Sequence, residues 1–202
     1  MTIPEIVLAS ASPRRAALLD QIRLRFRMCP SALGDDGEAQ LAGEQAEAYA
    51  RRLALAKASE VAAVVKQGLV IGADTVVTCD ERLFGKPRDR AEAQAFLLSL
   101  AGRTHQVITG VAVVEAATGR AEVDAAVTGV TMRPFDAEEA ALYVATGEPM
   151  DKAGAYGIQE RGALLVEGIQ GDYFNVVGLP LALLAALLRR FGVEPWSMEA
   201  AR

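Results

Sequence analysis

The sequence predicts an α/β fold built on one mixed sheet, and three observations carry this. Apolar runs short enough for strands, such as Ile6-Val7-Leu8-Ala9 and Leu69-Val70-Ile71, alternate with longer segments whose apolar residues recur at helical spacing. Two pairs of strand-like runs flank turn signals, at Asp80-Glu81 and Thr118-Gly119, so the sheet holds hairpins and is not purely parallel. No repeat, low-complexity tract or linker divides the 202 residues, a length that suits one sizeable domain or two lobes sharing a core.

Taken in order, the first strand runs into Ser10-Ala11-Ser12-Pro13-Arg14-Arg15 and a helix carrying Leu18, Leu19 and Ile22. Ser12 suits an N-cap and Pro13 the first helical position, where its missing N–H costs nothing. The turn thus collects free N–H groups, hydroxyls and two guanidinium groups at a positive helix end, which describes a phosphate site. It equally describes an ordinary capped helix with solvated arginines. Leu24, Phe26 and Met28 alternate with Arg23, Arg25 and Arg27, the pattern of a strand with one buried face. Pro30 to Gly43, with Asp35, Asp36 and Glu38, reads as an acidic loop, and an Ala- and Leu-rich helix follows from about Glu44 to Gln67, closed by Gly68. Lys57 lies beside that helix's apolar stripe, from where a lysine either snorkels to water or reaches into a cleft.

The run Leu69 to Val77 reads as a central strand interrupted by Asp74. A buried carboxylate needs a metal, a cation or several hydrogen bonds. Gly72 permits close backbone approach, and Gly85-Lys86-Pro87 holds a lysine in a stiff loop. A helix from about Arg90 to Ala101 is expected to bury Ala93, Phe96, Leu97 and Leu100. Strands His105 to Glu115 and Ala121 to Met132 form a hairpin, and Asp136 with Glu139 opens a helix stopping at Gly147. The glycine-rich segment Glu148 to Gly178, read as short strands and turns, has the composition of a ligand-lining loop. Pro180 and Gly192 bracket a helix read as apolar on all sides and hence buried, and the tail after about 195 has little to pack against.

Composition excludes several functions. A net charge of −5 disfavours nucleic acid as the main partner, and 5% aromatic residues leave little for base-stacking platforms. Cys29 and Cys79 form no CxxC or Cys/His pattern, which argues against a thiolate zinc site. His105 is the one histidine, so serine–histidine hydrolysis would rest on it alone. No signal peptide is read at the N-terminus, and the longest apolar run, Val176 to Leu188, is too short to span a membrane. A cytoplasmic protein is expected.

From Leu8 to Leu181 the chain resembles the Maf family of nucleoside triphosphate pyrophosphatases. The motifs are the turn at 10–15, Leu55-Ala56-Lys57-Ala58, Gly72 to Val77, Gly85-Lys86-Pro87, and the block Gly147-Glu148-Pro149 through Asp151-Lys152-Ala153-Gly154-Ala155-Tyr156-Gly157-Ile158-Gln159, ending at Gly178-Leu179-Pro180. Each is weak alone; five in order are specific. The resemblance implies a single domain over 1–202, two lobes around a long bent mixed sheet with the active site in the cleft between them, and a homodimer. It implies hydrolysis of a nucleoside triphosphate to the monophosphate and pyrophosphate with a divalent metal, Mg2+ or Mn2+. The 151–159 sequence is similar to the branch acting on dTTP and UTP, unlike the branch acting on 7-methyl-GTP. By the same likeness Arg14, Thr75 and Gln159 govern substrate choice; Ser10 and Arg15, in the turn read as a phosphate site, are the further expected substrate-binding residues, with the Arg15 charge offsetting phosphate. Asp74 is the proton acceptor, and Lys57 and Lys86 are further cleft residues. Asp74 and Asp35 are the expected metal ligands, although Asp35 stands where the family usually has a glutamate and reaches one methylene less far, and Asp36 and Glu38 lie close enough in the loop to substitute for it. A non-catalytic nucleotide-binding regulator of septum formation is the rival expectation.

Overall fold

A computed structural model describes residues 4–33, 39–80 and 82–197. Among these, strands β1 (Ile6–Leu8), β2 (Arg27–Met28), β3 (Leu69–Cys79), β4 (Arg82–Phe84), β5 (Thr104–Glu115), β6 (Ala121–Met132) and β7 (Val166–Gln170) form one sheet in the order β2-β1-β3-β5-β6-β7, with β4 paired to β3 outside that path. Pairing is mixed. β1 runs parallel to β2 and to β3, in register Val7 with Val70, while β4 is antiparallel to β3 and β7 to β6. The helices are α1 (Pro13–Gln21), α2 (Ala46–Val65), α3 (Arg90–Leu100), α4 (Ala137–Ala145), α5 (Tyr173–Val177) and α6 (Leu181–Arg190). None is long and apolar enough to cross a membrane.

The chain divides into two compact units. The first takes Met1–Asp74, Thr109–Ala126 and Gly178–Arg202, as far as these are described, and the second Thr75–Ile108 and Val127–Val177. In the first, Val7, Ala9 and Val70 of the sheet pack with Ala54, Ala58, Val61 and Ala62 of α2. In the second, Phe84, Phe96, Leu97, Leu100, Met132 and Tyr143 form the core. The expected stripe of α3 is buried there, and Asp89 caps the helix by accepting from Glu92 N at 2.8 Å. Asp136 caps α4 in the same way through Glu139 N at 2.9 Å.

Four expectations need correction. The strand expected over Arg23 to Met28 shrinks to two residues, and Met28 is 44% exposed. The chain first turns out of α1, with Arg23 at φ 55° and Leu24 N bonded to Leu19 O, so pairing begins only at Arg27. Helix α2 closes at Lys66, which takes the left-handed conformation itself, two residues before Gly68. Helix α6 is one-sided: Leu181, Leu184, Leu187 and Leu188 are buried while Ala182, Ala186, Arg189 and Arg190 face water. Its alanines lengthen the apolar run but present little surface to bury. Finally, 148–165 is mostly 3-10 turns (Glu148–Asp151, Ala153–Ala155, Arg161–Leu165), leaving β7 as the one strand between Glu148 and Gly178.

Candidate functional site

In the first unit, β1 delivers the chain to the turn at 10–15. Ser12 has the extended backbone of an N-cap and Pro13 follows, but the Ser12 hydroxyl makes no capping bond. The turn is held from elsewhere. Ser10 Oγ accepts from Ser12 N at 3.2 Å and from an Arg15 Nη at 3.1 Å, and Arg15 Nε donates to Gly178 O at 2.8 Å. Ser10 and Arg15 are buried, and Arg14 is half-buried. A buried guanidinium bonded to a carbonyl 163 positions away fixes the turn. That carbonyl had no signal in the sequence beyond Gly178 itself.

Lys57 and Asp74 meet because α2 approaches the sheet backbone to backbone. A Cβ at Gly72 would sit 2.2 Å from Ala54 O, and one at Gly110 of β5 2.2 Å from Ala50 O. Ala50, Ala54 and Ala58 supply the small surface on the helix side. Lys57 is one turn beyond Ala54, and Asp74 is two residues beyond Gly72 on the same strand face, so their side chains converge. Lys57 Nζ donates to Asp74 Oδ1 at 2.7 Å, with the residues 3% and 5% exposed. The lysine does not snorkel. It supplies the cation that the buried carboxylate requires.

Thr75, Lys86 and Gln159 belong to the second unit. Thr75 follows Asp74 in β3, facing the other side of the strand, and is half-buried. Lys86, also half-buried, follows Gly85, whose carbonyl accepts from Gly154 N at 3.1 Å. Gln159 is exposed in the bend between two 3-10 turns. Asp35 lies outside the described residues.

His105 is buried, with Nε2 2.8 Å from the Tyr156 hydroxyl and Nδ1 without a hydrogen-bond partner among the described residues. Burial pushes its pKa down to about 4, and burial raises those of Tyr143 and Tyr156 above the ordinary tyrosine value. This is a neutral core histidine rather than half of a serine–histidine pair.

Among the described residues no group of three or more His, Cys, Asp or Glu side chains is arranged to hold a metal ion. Asp74 is the donor that can be tested, and its hard carboxylate oxygen suits Mg2+ or Mn2+. Mg2+ is commonly bound through one or two carboxylates together with substrate phosphates.

The family model described as "Maf-like protein" matches residues 5–191. A dTTP/UTP pyrophosphatase of Moorella thermoacetica is 53% identical over 192 residues, covering 95% of this chain and 97% of that protein. Proteins of the same description from Myxococcus xanthus (50% identical, 95% of each chain) and Pelotomaculum thermopropionicum (48%, 93% of this chain and 97% of that one) are similar to it over nearly their whole lengths.

Proposed function

We propose that this chain, which belongs to the Maf family, hydrolyses dTTP and UTP to the nucleoside monophosphate and pyrophosphate. The observation that carries this is the buried Lys57–Asp74 pair, a carboxylate and an ammonium held together out of water. Near-full-length relatives described as dTTP/UTP pyrophosphatases support the choice of substrate.

In the proposed reaction a water oxygen attacks the α-phosphorus, its proton passes to the Asp74 carboxylate, and the bond from the α-phosphorus to the bridging oxygen breaks to release pyrophosphate. Negative charge grows on the phosphoryl and departing oxygens. Arg14, Lys57, Lys86 and the N–H groups of the first turn of α1 offset that charge, more strongly where water is excluded. Ser10 and Arg15 hold the turn in shape. Gln159, which can donate and accept at once, reads the O4/N3 edge of uracil or thymine, and Thr75 shares in the choice of substrate. Asp74, with Asp35 as the second carboxylate, would hold Mg2+ or Mn2+. When bound, the ion would lower the pKa of its water and neutralise phosphate oxygens. The net charge of −5 supports free nucleotides rather than nucleic acid as partners. The enzyme is taken to work as a cytoplasmic homodimer, which sedimentation of the purified chain and its fractionation from cells would test.

The deciding experiment incubates the chain with a panel of triphosphates and Mg2+ or Mn2+ and measures phosphate after coupling to inorganic pyrophosphatase. Turnover of dTTP and UTP is expected. Preference for 7-methyl-GTP would move the chain to the other branch of the family, and no turnover of any triphosphate would leave the non-catalytic regulator.

A further inference from the structure

We propose that Glu148, together with Tyr143, is a positioning residue that sets the segment carrying Gln159 and thereby the choice of nucleobase. This rests on Gln159 reading the base edge, as proposed above.

One carboxylate organises the segment from within the second unit. Glu148 Oε1 accepts from Tyr143 Oη at 2.8 Å and from Gly162 N at 3.1 Å, while Oε2 accepts from Arg161 N at 3.1 Å. Tyr143 Oη in turn accepts from Gly157 N at 3.1 Å. The backbone is therefore gripped two residues before Gln159 and two and three residues after it. Lys152 adds a strut: Nζ donates to Glu148 O and to Asp151 Oδ1, both at 2.7 Å.

The backbone packs closely on this couple at two glycines. A Cβ at Gly162 would lie 2.5 Å from Tyr143 Oη and 2.3 Å from Gly157 O, and one at Gly157 would lie 2.6 Å from Lys152 Cε. Gly162 thus closes onto Tyr143 and Gly157, and Gly157 onto Lys152, so neither position has space for a side chain. An ionised carboxylate is acceptor-only, so Glu148 can take three donors at once, and charge strengthens each bond. Glutamine of the same length would turn an amide N–H toward at least one of those donors. Gln159 is exposed, so its placement follows from the backbone gripped on either side. A group that hydrogen-bonds a base edge discriminates only if it is held in place.

The test compares UTP with CTP, which differ at the O4 position. Glu148→Gln is expected to lower the UTP:CTP ratio of kcat/KM by about tenfold, through a higher KM for UTP with kcat little changed. Tyr143→Phe is expected to move the ratio the same way by less, and it serves where Glu148→Gln fails to fold. Combining Glu148→Gln with Gln159→Ala should lower the ratio no further than Gln159→Ala alone, because both act through one group. If Gln159→Ala collapses the ratio while Glu148→Gln and Tyr143→Phe leave it intact, or lower kcat for both nucleotides equally, the positioning role is wrong and base reading by Gln159 stands. If Gln159→Ala itself leaves the ratio intact, base reading by Gln159 is wrong and the role of Glu148 falls with it.

Discussion

Lys57 Nζ lies 2.7 Å from Asp74 Oδ1, one side chain coming from α2 and the other from the middle of β3, and both are closed off from water. Placing two charges there costs desolvation that their attraction only partly offsets. Replacing both partners, as in Lys57→Met with Asp74→Leu, is expected to leave urea stability unchanged or raised by about 1–4 kcal/mol, whereas Lys57→Met alone costs about 3–5 kcal/mol by taking the ammonium away from a buried carboxylate. Activity follows the opposite logic. Asp74→Asn should cut pyrophosphate release from UTP by roughly 10²–10⁴. Retention of most of the turnover, with metal present, would remove Asp74 from the chemistry.

The pair depends on a notch in the sheet. Gly72→Ala puts a methyl group 2.2 Å from Ala54 O, and overpacking of this kind costs about 1–3 kcal/mol or more. The expected result is a lower Tm together with a lower kcat at temperatures where the variant is folded, since α2 must withdraw and carries Lys57 with it. Gly168→Ala on β7, whose added methyl meets nothing within 4 Å, should change neither. Equal behaviour of the two variants in thermal melts and turnover would refute the notch.

The two arginines of the 10–15 turn are expected to separate cleanly. Arg14→Ala should lower kcat/KM for UTP while leaving stability in urea unchanged. Arg15→Met removes the donor to Gly178 O and Ser10 Oγ, so it should cost about 1.5–3 kcal/mol of stability in urea titrations as well as raise KM. An Arg15 variant of unaltered stability would show that the link to Gly178 does not hold the turn.

Stability should carry a pH signature from the one histidine. His105 has a folded pKa of about 4 against an ordinary value of 6.5, because burial favours the neutral ring. Between these values the unfolded chain binds a proton that the folded chain does not, so stability is full above pH 6.5 and falls as pH drops toward 4. The total loss is about 3 kcal/mol. Urea titrations from pH 7 to 5 should show this slope in the native protein and its absence in His105→Gln. An unchanged slope in the variant would assign it to other groups.

Most of the elements could be read along the chain because their signals are local. The stripe of α3, the cap at Asp136 and the β5–β6 hairpin need only neighbouring residues to specify them. The strand around Arg23 to Met28 and the all-round apolar helix misled for a related reason. Periodicity reports which residues can be buried, while the turn out of α1 and the surface around α6 decide which are. Asp74 stood out as a carboxylate in an apolar run, and Lys57 only as a lysine beside a stripe with two places to go. The grip of Tyr143 and Glu148 on residues 157–162 left no pattern, since each partner is an ordinary residue until the chain folds back.

The linear order of residues is enough to give an α/β chain with a mixed sheet, the type of most elements outside 148–178, and an ordered set of motifs that place it in the Maf family. These follow from local spacing, turn chemistry and residue type, which a linear string carries. Tertiary structure alone decided that Lys57 turns inward to Asp74, that Arg15 bonds to Gly178 rather than to water, and that one carboxylate frames Gln159. Each is a contact between distant positions, made possible by close packing such as that of α2 on Gly72 and Gly110. No single residue in such a contact announces its partner.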